Sequence, residues 1–297
     1  GRVGAPIEVM VALANELNAH PWINIPHQAN DALCTLYANT LRDGLEPGLI
    51  AHVEYSNEVW NFQFSQATWA NDRGRDRWNA ESTWVQYYAL RSMQVMDLFT
   101  ASFGAQASTR LCRIIATQTG FLGLEQQILA APRVIADGLG SPHLKFDAYA
   151  ITGYFSGLLG NDEKGALVRQ WITASQTAAE NAADGLGLTG QARTDYIAAN
   201  RYNQAVTTAI GEIRNGAVTG QLGDSVQEWV GTTLPYHVQV AANYNLRLMM
   251  YEGGTHTVGF GANTNDAALT AFFNHLNYTP EMAGLYQEVL TAWANAT

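Results

Sequence analysis

The chain has 297 residues, 47% of them hydrophobic, 10% aromatic and 14% charged. That content excludes disorder, and no window approaches the roughly 18 uninterrupted apolar residues of a membrane span. Sixteen basic against 26 acidic residues give a net charge of −10, which makes nucleic acid and anionic membrane poor partners, since either would need a basic face.

In chain order, Pro6 opens a helix in which Ile7, Met10, Val11 and Leu13 recur at helical spacing. The run PWINIPH (21–27) reads as a strand and its exit loop, and 30–45 as an amphipathic helix capped by Asn30 or Asp31. LIAHVEYSNEVWN (49–61) is the next strand, followed by a loop over 60–82 in which DRGRDR (72–77) is a solvated stretch. A helix at 82–103, a strand at 109–120, a helix at 124–137 and a strand at 146–155 continue the alternation. Residues 156–222 break it, being Ala-, Gln- and Gly-rich and mostly helical, with turns at Gly185, Gly187, Gly190 and Gly220. A helix at 224–243 leads into a strand at 246–256, and the remainder is helical.

Strands alternating with helices predict a parallel α/β architecture. Five strand–helix units in one direction, with polar residues at strand C-terminal ends, favour a (β/α)8 TIM barrel over a doubly wound sheet. The latter needs a Gly-rich phosphate turn after its first strand, and GFGANTND near 259 follows the wrong kind of segment.

Catalytic residues of a barrel collect at strand C-termini. Alternation along 52–58 puts His52, Glu54, Ser56 and Glu58 on one face. Glu54 and Glu58 would be roughly 13 Å apart along extended chain, against the ~5 Å of a retaining glycosidase, so a partner for Glu58 must come from elsewhere. Glu252 is the candidate: it follows the apolar Leu248–Tyr251 and precedes Gly253-Gly254, a carboxylate ending a buried strand with a permissive turn behind it. Each glutamate alone is more often a loop anchor or an ion-pair partner; two of them, each in an aromatic setting and each ending a strand, favour chemistry. Trp60, Trp69, Trp78 and Trp84 follow Glu58 closely and offer a stacking platform for sugar rings, with Trp60 the choice for the site and Trp84 for the core. Cys34 and Cys112 make neither a disulfide framework nor a metal site. Without a GxSxG elbow, an HExxH motif or zinc spacing, no metal and no cofactor are expected.

Ser56-Asn57-Glu58 resembles the Asn–Glu pair that ends strand four in the clan A glycoside hydrolases, the TIM-barrel retaining glycosidases, and Glu252 resembles their strand-seven nucleophile. The run EYSNEVWN, with PWINIPH before it and YEGGTH after it, is also similar to bacterial proteins labelled cellulose-binding or glycosidase-like. The resemblance covers about residues 5–255. It implies a β-linked oligo- or polysaccharide substrate, Glu58 as acid/base, Glu252 as nucleophile and Asn57 as the binder of the sugar 2-hydroxyl. His27 resembles the sugar-binding polar residues of strand three. Tyr251 and Tyr154 could hydrogen-bond the nucleophile, and His256 and Gln118 are further candidates on position. Asn57 and Glu58 project to the same side only if the strand end is bulged or splayed, so distortion is expected there. The alternative is a barrel that binds glycan without turnover.

With Glu58 ending strand four, three earlier units need roughly 90 residues, and only about 50 precede the strand. The expectation is therefore one barrel domain over 1–297, incomplete at both ends, with strands one, two and eight supplied from outside the chain. A helical cap at 156–222 follows the sixth strand. The clan's strand-two Arg and strand-eight Trp have no match. A secreted or periplasmic location is expected of such an enzyme, although GRVGAPIEVMVALANEL does not read as a signal peptide.

Overall fold

A computed structural model describes residues 4–297. The chain forms two compact units: the first runs to Ile151 and adds Gln239–Tyr251, and the second comprises Thr152–Val238 and Glu252–Thr297.

A five-stranded sheet holds β1 (Trp22–Ile25), β2 (Ala51–Tyr55), β3 (Leu111–Ala116), β4 (Ala148–Phe155) and β5 (Arg247–Thr255), in the order β1-β2-β3-β4-β5. The sheet is parallel, with Trp22 opposite His52, His52 opposite Cys112 and Ile114 opposite Ala148. All five strands fall where apolar runs predict them. Buried parallel strands read as near-continuous hydrophobic runs, and LCRIIA and AYAITGYF are such runs. A complete eight-stranded barrel is not observed among the described residues.

In the first unit, α1 (Ile7–Leu17) precedes β1, α2 (Asp31–Gly44) joins β1 to β2, and α3 (Ser65–Trp78), α4 (Trp84–Phe103) and α5 (Ala107–Arg110) join β2 to β3. The short α6 (Leu124–Leu129) and α7 (Pro132–Ala136) join β3 to β4. These helices pack on one another, α1 on α2, and α2, α3, α6 and α7 each on α4. Asn30 caps α2 by accepting from the Leu33 N–H.

Three local expectations are corrected. The loop expected at 60–82 contains the helix α3, and DRGRDR lies within it. The single helix expected at 124–137 is broken at Ala131, which is left-handed (φ 40°). Pro132 disfavours the helical region for the residue before it and donates no N–H. The helix expected at 224–243 begins as α11 (Val226–Glu228), widens into a π turn at Trp229–Thr233 and continues as α12 (Leu234–Asn243). Pro235 lacks the N–H that would close the preceding turn, so the distortion sits one turn upstream of it.

In the second unit, α8 (Asp162–Gly185) packs against α9 (Gly190–Asn200) and α10 (Asn203–Asn215), and α13 (Ala267–Leu276) and α14 (Pro280–Ala296) follow β5. Gly187, Gly190 and Gly220 take left-handed φ at the expected turns. The buried stripe of α10 is Ala205, Val206, Ala209, Ile210, Glu212 and Ile213, an apolar helical face with one acid in it. That acid meets Lys164 at 2.6 Å.

Candidate active site

In β2 the alternation works as far as Tyr55. The Tyr55 ring lies against Tyr88 of α4, with centroids 6.2 Å apart, so Ala51, Val53 and Tyr55 face the helices and His52 and Glu54 the opposite side. There the parallel register sets Trp22 and Asn24 beside them. The Trp22 indole N–H donates to Glu54 Oε2 at 3.0 Å and the Asn24 amide to the same oxygen at 3.1 Å, while the Trp22 ring stacks on His52 at 6.1 Å.

The strand stops before Glu58. Ser56 (φ 64°) and Glu58 (φ 43°) are both left-handed, so the chain turns where extended geometry would have continued. The shared face expected for Ser56 and Glu58 therefore fails, and the expected distortion is present as a pair of left-handed residues. Hydrogen bonds hold it: Ser56 N–H to Ile25 O at 2.7 Å and Asn61 N–H to Glu58 O at 2.9 Å. The Asn24 amide reaches Ser56 O at 2.7 Å, and the Gln66 amide reaches Asn57 O at 2.8 Å. Glu58 is half-buried and Asn57 exposed. The Asn61 amide donates to Glu58 Oε2 at 3.0 Å, which fixes that carboxylate. Sequence reasoning missed Asn61; the signal was an amide three residues after an acid at a strand exit.

His27 follows β1. Its carbonyl accepts from the Tyr55 hydroxyl at 2.7 Å, and its ring lies edge-on to Trp69 at 5.6 Å. Burial pushes its pKa down, and its buried Nε2 has no partner among the described residues. Trp60 is buried and edge-on to Tyr88 at 6.2 Å. Trp69 and Trp78 lie edge-on to Tyr87 of α4, at 5.5 and 6.5 Å, so part of the tryptophan cluster fastens α3 to α4. Gln118 is exposed, in the turn after β3. Tyr251 directs its hydroxyl to Thr117 O at 3.5 Å.

In the second unit, Glu252 is exposed and lies inside β5, which continues to Thr255. Gly253 and Gly254 are thus strand and not the turn expected behind the acid. The physical reason at Gly254 (φ 123°) is close approach: a Cβ would sit 2.8 Å from the Tyr286 hydroxyl, which accepts from the Thr255 N–H at 3.0 Å. Tyr154 and His256, at the ends of β4 and β5, are brought together with ring centroids 5.4 Å apart, and the His256 N–H donates to Phe155 O at 3.0 Å.

Asp224 is a residue the sequence did not flag. It takes the Ser156 hydroxyl on its carboxylate, and its carbonyl accepts from the Ser156 and Gly157 N–H groups at 2.9 and 2.8 Å. Burial pushes its carboxyl up, Glu228 adds to this, and the Ser156 hydrogen bond and nearby His256 oppose it. The S-x-x-E of Ser225–Glu228 marks the helix start, with Ser225 Oγ accepting from the Glu228 N–H. Nothing local announces the partner 68 residues away.

Among the described residues no group of three His, Cys, Asp or Glu side chains is placed to hold a metal ion. Comparison with family models, with curated proteins and with solved structures returns no match.

Proposed function

We propose that the protein is a retaining glycoside hydrolase acting on a β-linked oligo- or polysaccharide, and that its sheet is a run of five strands from a (β/α)8 barrel carrying a helical insertion at 156–222. The sequential parallel order supports the barrel, because a doubly wound sheet reverses its strand order at a switch point. The observation that carries the activity is the Ser56–Glu58 turn. Two left-handed non-glycine residues end a strand, backbone strain of a kind that clusters at active sites, and they present a half-buried carboxylate fixed by Asn61.

Glu58 protonates the leaving glycosidic oxygen while Glu252 attacks the anomeric carbon, giving a glycosyl-enzyme. Glu58 then takes a proton from the water that releases the sugar. Asn57 offers both a donor and an acceptor to the 2-hydroxyl. His27, Gln118, Tyr154, Tyr251 and His256 are assigned to substrate binding, while Trp60, buried against Tyr88, is left to packing beside Glu58, and a polymeric substrate fits a secreted or periplasmic enzyme.

The test is labelling with a panel of activated 2-fluoro glycosides followed by peptide mass analysis. Mass gained on Glu252 is expected. Glu58→Gln should keep that labelling yet lose about 10²–10⁴ in turnover of unactivated oligosaccharides. No label across the panel, with sugar binding retained, would instead identify a glycan-binding protein without turnover.

A further inference from the structure

The second unit carries a cleft of about 670 Å³ lined by α10, the end of α13 and the start of α14. That volume lies within the range of small-molecule sites. Its polar lining includes Asn203, Thr207, Asn274, His275 and Glu281, and among the described residues it contains no lysine or arginine. Side-chain amides and a carboxylate suit hydroxyl groups, which both donate and accept. The absence of a cation disfavours phosphorylated or carboxylated ligands.

At its edge stands Tyr278, 91% exposed. An aromatic ring buries 150–250 Å² in a typical contact, so leaving one in water forgoes a large stabilisation. The exposure is built into a pinned turn. The Tyr278 N–H donates to His275 O at 3.2 Å and the Thr279 N–H to Leu276 O at 3.2 Å. Thr279 Oγ1 donates to Leu276 O at 2.9 Å and accepts from the Met282 N–H at 3.2 Å, and Asn277 Oδ1 takes the Thr257 hydroxyl at 2.7 Å. The cleft walls are also fastened: the buried Tyr202 ring packs against Phe272 at 5.4 Å and His275 at 5.1 Å. An exposed aromatic ring on a pinned turn, beside amides, hydroxyl and carboxylate, matches a pyranose, with its flat C–H face and rim of hydroxyls.

We infer that this cleft is a binding site for neutral oligosaccharide, with Tyr278 stacking on a sugar ring and Asn203, Asn274 and Glu281 holding its hydroxyls. It involves neither Glu58 nor Glu252 and needs no turnover, so it goes beyond the activity proposed above.

The test is a titration of the Glu58→Gln chain, followed by amide NMR, with cellohexaose, xylohexaose, mannohexaose and laminarihexaose. At least one sugar should shift the amides of 203–207 and 274–281. Tyr278→Ala and Asn274→Ala, both at exposed positions, should each weaken that binding about tenfold without lowering Tm. If none of the four sugars moves these amides, or Tyr278→Ala binds as tightly as its parent, the inference is overturned. Wild-type hydrolysis of soluble aryl glycosides separates the two readings. Tyr278-dependent binding without hydrolysis keeps the cleft and removes the glycosidase, and hydrolysis without such binding does the reverse.

Discussion

Glu58 pays for its place in backbone energy, since a left-handed non-glycine residue costs roughly 1–2 kcal/mol. Glu58→Gly relieves this and loses the Asn61 hydrogen bond. We expect Glu58→Gly to stay within about 1 kcal/mol of wild type in urea, because the strain relieved is offset by the freer unfolded chain and the lost hydrogen bond, while it is inactive, the trade expected where strain serves function. A clear loss of stability would mean the turn is not strained. A second residue-scale feature is the Lys164–Glu212 pair, whose side chains are 1% and 0% exposed. Lys164 Nζ also donates to Gly157 O at 2.9 Å, and Glu212 accepts from the Val218 and Thr219 N–H groups. Lys164→Met strands a buried carboxylate and should cost about 3–5 kcal/mol in urea unfolding. Adding Glu212→Leu should restore only part of this, because the Val218 and Thr219 amides then lose their acceptor. Burial pushes the Glu212 carboxyl up, but the hydrogen bonds from Lys164, Thr219 and the two amides outweigh it and hold the pKa below the usual range. A lowered folded-state pKa stabilises above the unfolded value, and that contribution is lost as pH falls through the folded one. Wild type should therefore lose stability below about pH 4 more steeply than the double variant.

Helices differ in how far their sequences announce them. In α2 the Asn30 cap and the apolar spacing are local signals, and both were legible. SQATWANDRGRDRW gives α3 almost none: it has no side-chain cap, a central glycine and few large apolar residues. Its buried stripe is Ala67, Ala70 and Gly74, small residues that matter only once α4 lies against them. At Gly74 a Cβ would overlap the Thr83 hydroxyl and approach Thr83 O at 3.1 Å. Gly74→Ala should thus destabilise by ~1–3 kcal/mol despite a helix-propensity gain of about 1 kcal/mol. A raised Tm would show that propensity wins over packing here. The tryptophans teach the same lesson: their clustering after Glu58 was legible, but the edge-on contacts of Trp69 and Trp78 with Tyr87 depend on how α3 and α4 meet.

At the scale of the whole molecule, β2 and β3 are flanked by strands on both sides, whereas β1 is an edge of the sheet. Every second N–H of an edge strand points away from its only neighbour. Hydrogen exchange should be slowest over Val53–Tyr55 and Ile114–Ala116 and faster at alternate residues of Trp22–Ile25, and equal protection throughout β1 would contradict the strand order. The sequence by itself determined the five strands, their parallel α/β class and the helical character of 156–222, because apolar runs, periodicity and turn residues act over a few neighbours. Only the tertiary structure decided that β2 stops at Tyr55, that Trp60 is buried against Tyr88, that Gly254 answers to Tyr286, and that Asp224 closes on Ser156. It alone set Asn203, Asn274 and Tyr278 around one cleft. These outcomes rest on contacts between residues tens of positions apart, which the packing of elements creates and no local pattern encodes.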